Sequence, residues 1–167
     1  MYYNEKSITK HEKIAEKLFC EGYNCAQSVL AAFSDVTGLS VSESARTASA
    51  FGGGMCGQRL TCGSVSGMLM ALSLIEGYDN PSEYDGKARL YKTGRALVAE
   101  FEEVLGSQIC SELLKGLKLS KTPSPRTDEY YKVRPCVRFC RVAANIFDGY
   151  LISEGITVDA ATDGVRE

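Results

Sequence analysis

The chain has 167 residues, 44% of them hydrophobic, and this length and composition suit a single domain with one core. Its formal net charge of -2 excludes a general attraction to nucleic acid or anionic lipid, which would need a clear excess of Lys and Arg. No apolar run approaches the roughly 18 residues of a membrane span, and the polar first residues lack the apolar core of a signal peptide. We therefore expect a cytoplasmic protein that binds neither membranes nor nucleic acid.

Helical periodicity dominates the first half of the chain, and glycines and capping residues divide it into four helices. These predicted helices are residues 8–20, a second helix capped by Asn24 and stopped by Gly38, a third from near Ser40 or Ser42 to Gly52, and a fourth capped by Thr61 and ending at Gly77.

The longest predicted helix follows a turn at residues 78–86, and its apolar residues recur at spacings of four and three, as in a helix–helix seam. Gly106 ends this helix, and a short helix follows at residues 110–114. Residues 118–134 hold two prolines and predict a loop, whereas Pro135 suits the first turn of a final helix. No strand pattern occurs, so we expect an all-α, single-domain bundle of about six to seven helices over residues 1–155, with a polar tail at 156–167.

Seven cysteines are unusual in a chain of this length, and in a reducing compartment they indicate metal ligands or redox thiols rather than structural disulfides. A helix N-terminus carries partial positive charge and unpaired N–H groups, which favour a thiolate and lower the pKa of a cysteine. The alternative is that each cysteine packs as a small hydrophobic residue. Four cysteines fall in the first turns of predicted helices: Cys25, Cys62, Cys110 and Cys136.

The other three cysteines have different settings. Cys20 lies near the end of a helix, so we expect an ordinary thiol, and Cys140 shares a helix face with Cys136, which suits packing or a shared site. Cys56 lies in a glycine-rich loop and is the extra cysteine most suited to a site. No pair is spaced C-x-x-C, which argues against a thioredoxin-like dithiol or a zinc ribbon and rules out covalent haem attachment.

The glycine-rich loop around Cys56 allows two interpretations. Its glycines could let backbone N–H groups approach an anion, such as the sulfides of an iron–sulfur cluster, or they could form a plain turn and allow close helix packing. No Gly-Lys-Ser/Thr follows, so the loop is not a nucleotide-binding P-loop. The glycines considered for cofactor approach are Gly52, Gly53, Gly54 and Gly63.

Basic residues are concentrated between Lys115 and Arg141, a segment that contains eight basic residues and only two acidic ones, Asp128 and Glu129. A positive surround would stabilise thiolates or an anionic cluster. It could instead dock an acidic redox partner, or simply be a solvated loop.

Several segments together resemble a bacterial family of proteins, described as redox-active, that is named for its C-GCAxxG-C-C cysteine pattern. These segments are GYNCAQSVL (22–30), FGGGM (51–55), CGSVSGMLMAL (62–72), FEEVLGSQICSELL (101–114) and RPCVRFCRVAA (134–144). The family's shared cysteines fall on Cys25, Cys62, Cys110 and Cys136, and Ser64 stands where Ala is usual. The resemblance implies an all-helical fold and a redox role. A related domain occurs in split-Soret cytochromes, where an iron–sulfur site has been suggested, but this chain lacks their haem-binding part.

The leading hypothesis is that these shared cysteines converge and bind an iron–sulfur cluster for electron transfer with a redox partner protein. A second hypothesis is a thiol–disulfide oxidoreductase that uses two of the same cysteines. A third is a structural zinc site, or buried thiols, in a partner-binding bundle. The sequence leaves open whether the protein forms a homodimer.

Overall fold

The computed structural model describes residues 1–120 and 122–156, and helices account for most of these residues. The helices are α1 (Lys10–Cys20), α2 (Cys25–Ala32), α3 (Ser34–Thr37), α4 (Val41–Thr47), α5 (Gly63–Glu76), α6 (Tyr84–Leu105), α7 (Cys110–Leu113), α8 (Asp128–Val133) and α9 (Cys136–Ser153). A short 3-10 helix covers Ser49–Phe51. Within the described residues the only β-type pairing is one isolated antiparallel bridge between Thr61 and Ile109, so the all-α prediction is confirmed.

Side-chain caps explain where two of the predicted helices begin. The Asn24 side chain accepts hydrogen bonds from the backbone N–H groups of Ala26 and Gln27, and the Gln27 side chain accepts one from Asn24 N. Ser40 and Glu43 form the same reciprocal arrangement at the start of α4. Each arrangement satisfies backbone donors that the first helical turn leaves unpaired, so both helix starts were readable from the sequence.

The described residues contain nine α-helices, more than the six or seven predicted, for two reasons. The second predicted helix breaks at Phe33, the residue that separates α2 from α3 along the chain, whose buried ring packs against His11 and Phe147. The predicted loop at residues 118–134 contains α8, which Thr127 caps by accepting a hydrogen bond from Tyr130 N. Lys121 in that loop and residues 157–167 of the predicted tail lie outside the described residues.

Helix α9 is the centre of the bundle and packs against α1, α2, α5 and α6. Its inner face is buried, and Phe147 on that face meets Phe33 edge-on with ring centroids 4.9 Å apart. Because α2 and α5 both pack against α9 and against each other, these three helices fix one another's positions. No helix among the described residues has the length and apolar character needed to cross a bilayer.

Helices α2 and α5 approach each other closely at two glycines of α5, one of which has no room for a side chain. A Cβ atom added at Gly67 would lie 2.6 Å from the backbone oxygen of Ala26, and one at Gly63 would lie 3.1 Å from the Cβ of Cys25. The first distance is shorter than real Cβ contacts, and its partner is backbone that cannot rotate away. Glycine at both positions therefore sets the spacing between α2 and α5.

We expect Gly67→Ala to lower the melting temperature, because moving the two helices apart costs about 1–3 kcal/mol and the better helix propensity of alanine returns only about 1 kcal/mol. The matched control is Gly94→Ala on α6, whose added Cβ would make an ordinary 3.4 Å contact with the Leu69 side chain. That variant should be as stable as the wild type or slightly more stable. Thermal unfolding followed by circular dichroism gives both values, and equal effects of the two substitutions would contradict the close-packing explanation.

A buried polar network joins the N-terminal helix to α9. The ring of His11 is fully buried, with Nδ1 2.5 Å from Asp148 Oδ1 and Nε2 2.9 Å from Asp35 Oδ1. Next to it, Arg141 Nε donates to the buried carboxylate of Glu12 at 3.0 Å. The sequence places His11 on a charged N-terminal stretch, and nothing in that stretch indicated that this histidine would be buried in a charged pair.

The same network predicts how stability depends on pH. Burial lowers the pKa of His11, but its hydrogen bonds and charge attraction with Asp148 and Asp35 outweigh burial and raise the pKa overall. The folded protein thus holds this proton more tightly than the unfolded chain. The stabilisation that protonated His11 gives to the folded protein is complete below about pH 6.5. It is lost as the pH rises through the folded pKa, and the free energy of unfolding then falls by up to about 1.4 kcal/mol per pH unit.

Urea unfolding of the wild type between pH 6 and 8 should therefore show stability that falls as the pH rises. His11→Gln should be less stable at pH 6 and should lack that slope. A slope that is identical in the two proteins would show that His11 is not its source.

Candidate functional site: a cavity lined by four thiols

Four cysteines at the starts of four helices line a single small cavity of about 60 Å³. Cys25, Cys110 and Cys136 are the first residues of α2, α7 and α9, and Cys62 directly precedes α5. The sequence placed Cys62 one position further into its helix. The fold thus brings together four sulfur atoms that are distant along the chain.

Backbone hydrogen bonds between two loops hold one pair of these cysteines side by side. Cys62 N donates to Gln108 O at 2.8 Å, and Cys110 N donates to Leu60 O at 2.6 Å. Because these bonds run between the loop before α5 and the loop before α7, they fix the relative positions of Cys62 and Cys110. The contact between α2 and α9 brings the remaining pair together.

The thiols of that second pair interact with each other through a hydrogen bond between Cys25 and Cys136. Cys140, which lies one turn further along α9, also donates its thiol to the backbone oxygen of Cys25 at 3.8 Å. The Cys140 thiol is fully buried, 3.5 Å from Ser64 Oγ and outside the cavity lining. All seven cysteines are free.

The pKa values of the four cavity thiols are raised, so the expected lowering at helix N-termini is wrong for these thiols. A hydrogen bond to Cys25, followed by burial, raises the pKa of Cys136. Burial raises the pKa of Cys62 to about 12 and raises that of Cys110 despite the nearby Arg59. For Cys25, the hydrogen bond with Cys136 lowers the pKa, but the bond with Cys140 and burial outweigh it. Loss of water and the crowding of thiols exceed the effect of the helix ends.

Three positively charged arginines and a neutral tyrosine also line the cavity. Arg59 Nη1 lies 4.0 Å from Cys110 Sγ, at the limit of a hydrogen bond to sulfur. The guanidinium of Arg126 lies over the Tyr130 ring at 4.6 Å, and that of Arg134 lies over the same ring at 5.3 Å. The positive surround expected from the sequence therefore exists at the site.

Only part of the predicted basic cluster faces the cavity. Arg126 and Arg134 line it, whereas Arg138 is exposed and Arg141 pairs with Glu12 and Glu16. Lys121 falls outside the described residues.

The glycines of the loop make room for the cysteines. Gly53 and Gly63 line the cavity directly. Gly54 has a φ of +64°, and a Cβ added there would lie 2.9 Å from the Cβ of Cys110. A Cβ at Gly52 would lie 2.6 Å from the side chain of Asn24, the cap of α2. These contacts favour close packing as the reason for Gly52, Gly54 and Gly63.

Cys56 lies apart from the four cavity thiols. It is exposed, and it borders an open cleft of about 590 Å³ beside the cavity, which we call the outer cleft. The residues that line both the cavity and the outer cleft are Asn24, Gly53, Arg59, Arg126, Tyr130 and Arg134. The outer cleft is thus the approach to the thiols from solvent.

Sequence reasoning missed two side chains of this site, Arg59 and Tyr130. Arg59 precedes the predicted basic cluster by more than fifty positions. Its φ of +65° is a conformation that a glycine would have indicated in the sequence, but an arginine does not. Tyr130 lies in the segment predicted to be a loop. Nothing in the spacing of either residue links it to the cysteines.

The donor chemistry of the site is that of sulfur. Within residues 1–120 and 122–156, no three His, Cys, Asp or Glu side chains are grouped as ligands of one metal ion.

The chain matches the model of one protein family, described as "Putative redox-active protein (C_GCAxxG_C_C)", over residues 23–150. The match includes all four cavity cysteines and confirms the resemblance seen in the sequence segments. No curated protein and no solved structure matches the chain.

Burial predicts which thiols react with an alkylating reagent in protein that has been treated with a chelator. Cys20 and Cys56 are exposed, while Cys62, Cys110 and Cys136 are 2%, 6% and 6% exposed. At pH 7.5, iodoacetamide should modify the two exposed thiols at least about tenfold faster than the three buried thiols. The buried thiols are shielded from the reagent and, because their pKa values are raised, they stay protonated. Peptide mass spectrometry over time measures each rate. A rate for Cys62 or Cys136 equal to that of Cys56 would contradict the closed cavity.

Proposed function

The chain belongs to this family of proteins described as redox-active, and from that premise we propose that Cys25, Cys62, Cys110 and Cys136 bind an iron–sulfur cluster for electron transfer. The observation that carries the proposal is that these four thiols, and no other cysteine, line one cavity. When bound, the cluster would supply a one-electron carrier. A redox partner protein would supply or accept the electrons.

The residues present fit such a group in kind and in number. Iron–sulfur clusters are most commonly held by four cysteine thiolates, and thiolate-only sites select iron–sulfur or zinc. The cavity of about 60 Å³ between the thiols has room for several atoms rather than one ion, which favours a cluster over zinc. We therefore place iron–sulfur first and zinc second.

The surrounding residues would perform two tasks for the bound group. Arg59, Arg126 and Arg134 would balance the negative charge of four thiolates, and charge near a cluster is one of the factors that set its potential. Leu114 and Phe139, both buried at the cavity wall, would keep water away from the sulfur atoms. A reducing compartment such as the cytoplasm would keep the thiols free to bind iron.

A second candidate function rests on the contact between Cys25 and Cys136. The two thiols are hydrogen-bonded, so they could join in one S–S bond while releasing two protons and two electrons to a disulfide of a partner, which becomes two thiols. Their burial and raised pKa values oppose this chemistry, because the attacking species must be a thiolate. The cluster is for this reason the better-supported function.

Anaerobic purification followed by iron and acid-labile sulfide analysis tests the proposal. We expect iron and sulfide in equal amounts and a visible absorption that bleaches on reduction. Cys62→Ser and Cys110→Ser should each lose most of the bound iron, because each removes one of the four sulfur ligands. The matched control is Cys20→Ser, which changes an exposed thiol outside the cavity and should retain the wild-type iron content.

Three outcomes would reject the cluster. A colourless protein without iron or sulfide, even after anaerobic reconstitution, removes it altogether. Tightly bound zinc in place of iron would indicate a structural site. A metal-free protein that reversibly forms a Cys25–Cys136 disulfide would indicate the dithiol function.

A further inference from the structure

The outer cleft is a second feature of the site, larger and more open than the thiol cavity. Its volume is about 590 Å³, and Arg59, Arg126 and Arg134 lie on the wall that it shares with the cavity. None of the described residues that line it is acidic. Three positive side chains therefore face this space, and no carboxylate from the described part of the chain lines it with them.

The arginines are held in place by contacts that leave some of their donors unused. Arg126 packs against the rings of Phe19 and Tyr130, each 4.6 Å from its guanidinium carbon, and its Nη2 donates to the backbone oxygen of Tyr23 at 3.0 Å. Its Nη1 is buried and has no hydrogen-bond partner within residues 1–120 and 122–156. This guanidinium is rigid, charged and partly unsatisfied.

Arg59 shows the same pattern. Its Nη2 donates to the backbone oxygen of Ser120 at 2.6 Å and its Nη1 points to Cys110, whereas its buried Nε has no hydrogen-bond partner among the described residues. An unsatisfied buried donor costs about 1–3 kcal/mol, and more on a charged group. Two guanidinium groups at one cleft thus keep hydrogen-bonding capacity that the described part of the chain does not use.

We propose that the outer cleft binds a small molecule that carries two or more negative charges, with carboxylate or phosphate oxygens on Arg126 and Arg134. Guanidinium groups bind such oxygens through paired, charge-assisted hydrogen bonds. Held there, the ligand would lie next to the thiol cavity, across a wall of shared residues.

A small molecule fits the cleft better than the surface of an acidic partner protein. Arg59, Arg126 and Arg134 lie on the wall that the cleft shares with the thiol cavity, so a ligand oxygen must enter the cleft to reach these guanidinium groups. A cleft of several hundred cubic ångströms is the usual size of a small-molecule site. The exposed Arg138, by contrast, lies outside the cleft.

The test is a calorimetric titration of the full chain, purified anaerobically, with inorganic phosphate, succinate and chloride at matched ionic strength. We expect saturable binding of phosphate or succinate and none of chloride. Arg126→Gln and Arg134→Gln should each weaken binding by about tenfold or more, since each removes charge-assisted hydrogen bonds. Arg138→Gln removes the same charge from an exposed position and should bind like the wild type.

Two measurements keep the result interpretable. Circular dichroism of each variant shows whether it is folded. If Arg126→Gln unfolds, Arg134→Gln still tests the cleft, because Arg134 stacks on Tyr130 at the wall of the cleft and its replacement should disturb the fold less. Iron and sulfide analysis of the same samples separates the two proposals. Anion binding by an iron-free protein would support the anion site and reject the cluster. An iron-loaded protein that binds neither phosphate nor succinate would support the cluster and reject the anion site.

Further outcomes would overturn the inference. Equal weakening by Arg138→Gln would show a general charge effect rather than a site. Binding of a hexaglutamate peptide without binding of phosphate or succinate would show that the arginines serve a protein partner instead.

Discussion

The backbone contact between α2 and α5 is the constraint on which the site depends. A Cβ atom at Gly67 would clash with the backbone oxygen of Ala26, and one at Gly63, the residue after Cys62, would make a tight 3.1 Å contact with the Cβ of Cys25. A side chain at either position would push the start of α5 away from the start of α2. The same glycines that make the core compact thus decide whether two of the four sulfur atoms share a cavity.

Burial of the thiols has opposite effects on the folded protein and on its chemistry. A thiol in an apolar setting is a stable, neutral core residue, and the raised pKa values of Cys62, Cys110 and Cys136 express that preference. Placing negative charge on the same atoms needs nearby positive charge. The arginines on the solvent side of the cavity can provide it without occupying the core, which is consistent with a site built for an anionic group.

The sequence predicted the helices better than it predicted the chemistry of the site. Caps at Asn24 and Ser40 and the glycine at 106 are local signals, so several helix ends were readable. The predicted helix starts also agree with the observed positions of the four cysteines in their helices to within one residue. Their raised pKa values were not readable, because burial and thiol–thiol contact come from packing between distant segments. The roles of Arg59 and His11 likewise depend on tertiary contacts that no local spacing encodes.

One wall of the cavity is built differently from the others. Cys25, Cys62 and Cys136 lie at the starts of core helices, whereas Arg126 and Tyr130 belong to the segment between α7 and α9 and stack with Phe19. The cavity is therefore closed on this side by contacts between rings and guanidinium groups, and on the other sides by the helices that carry the sulfur atoms.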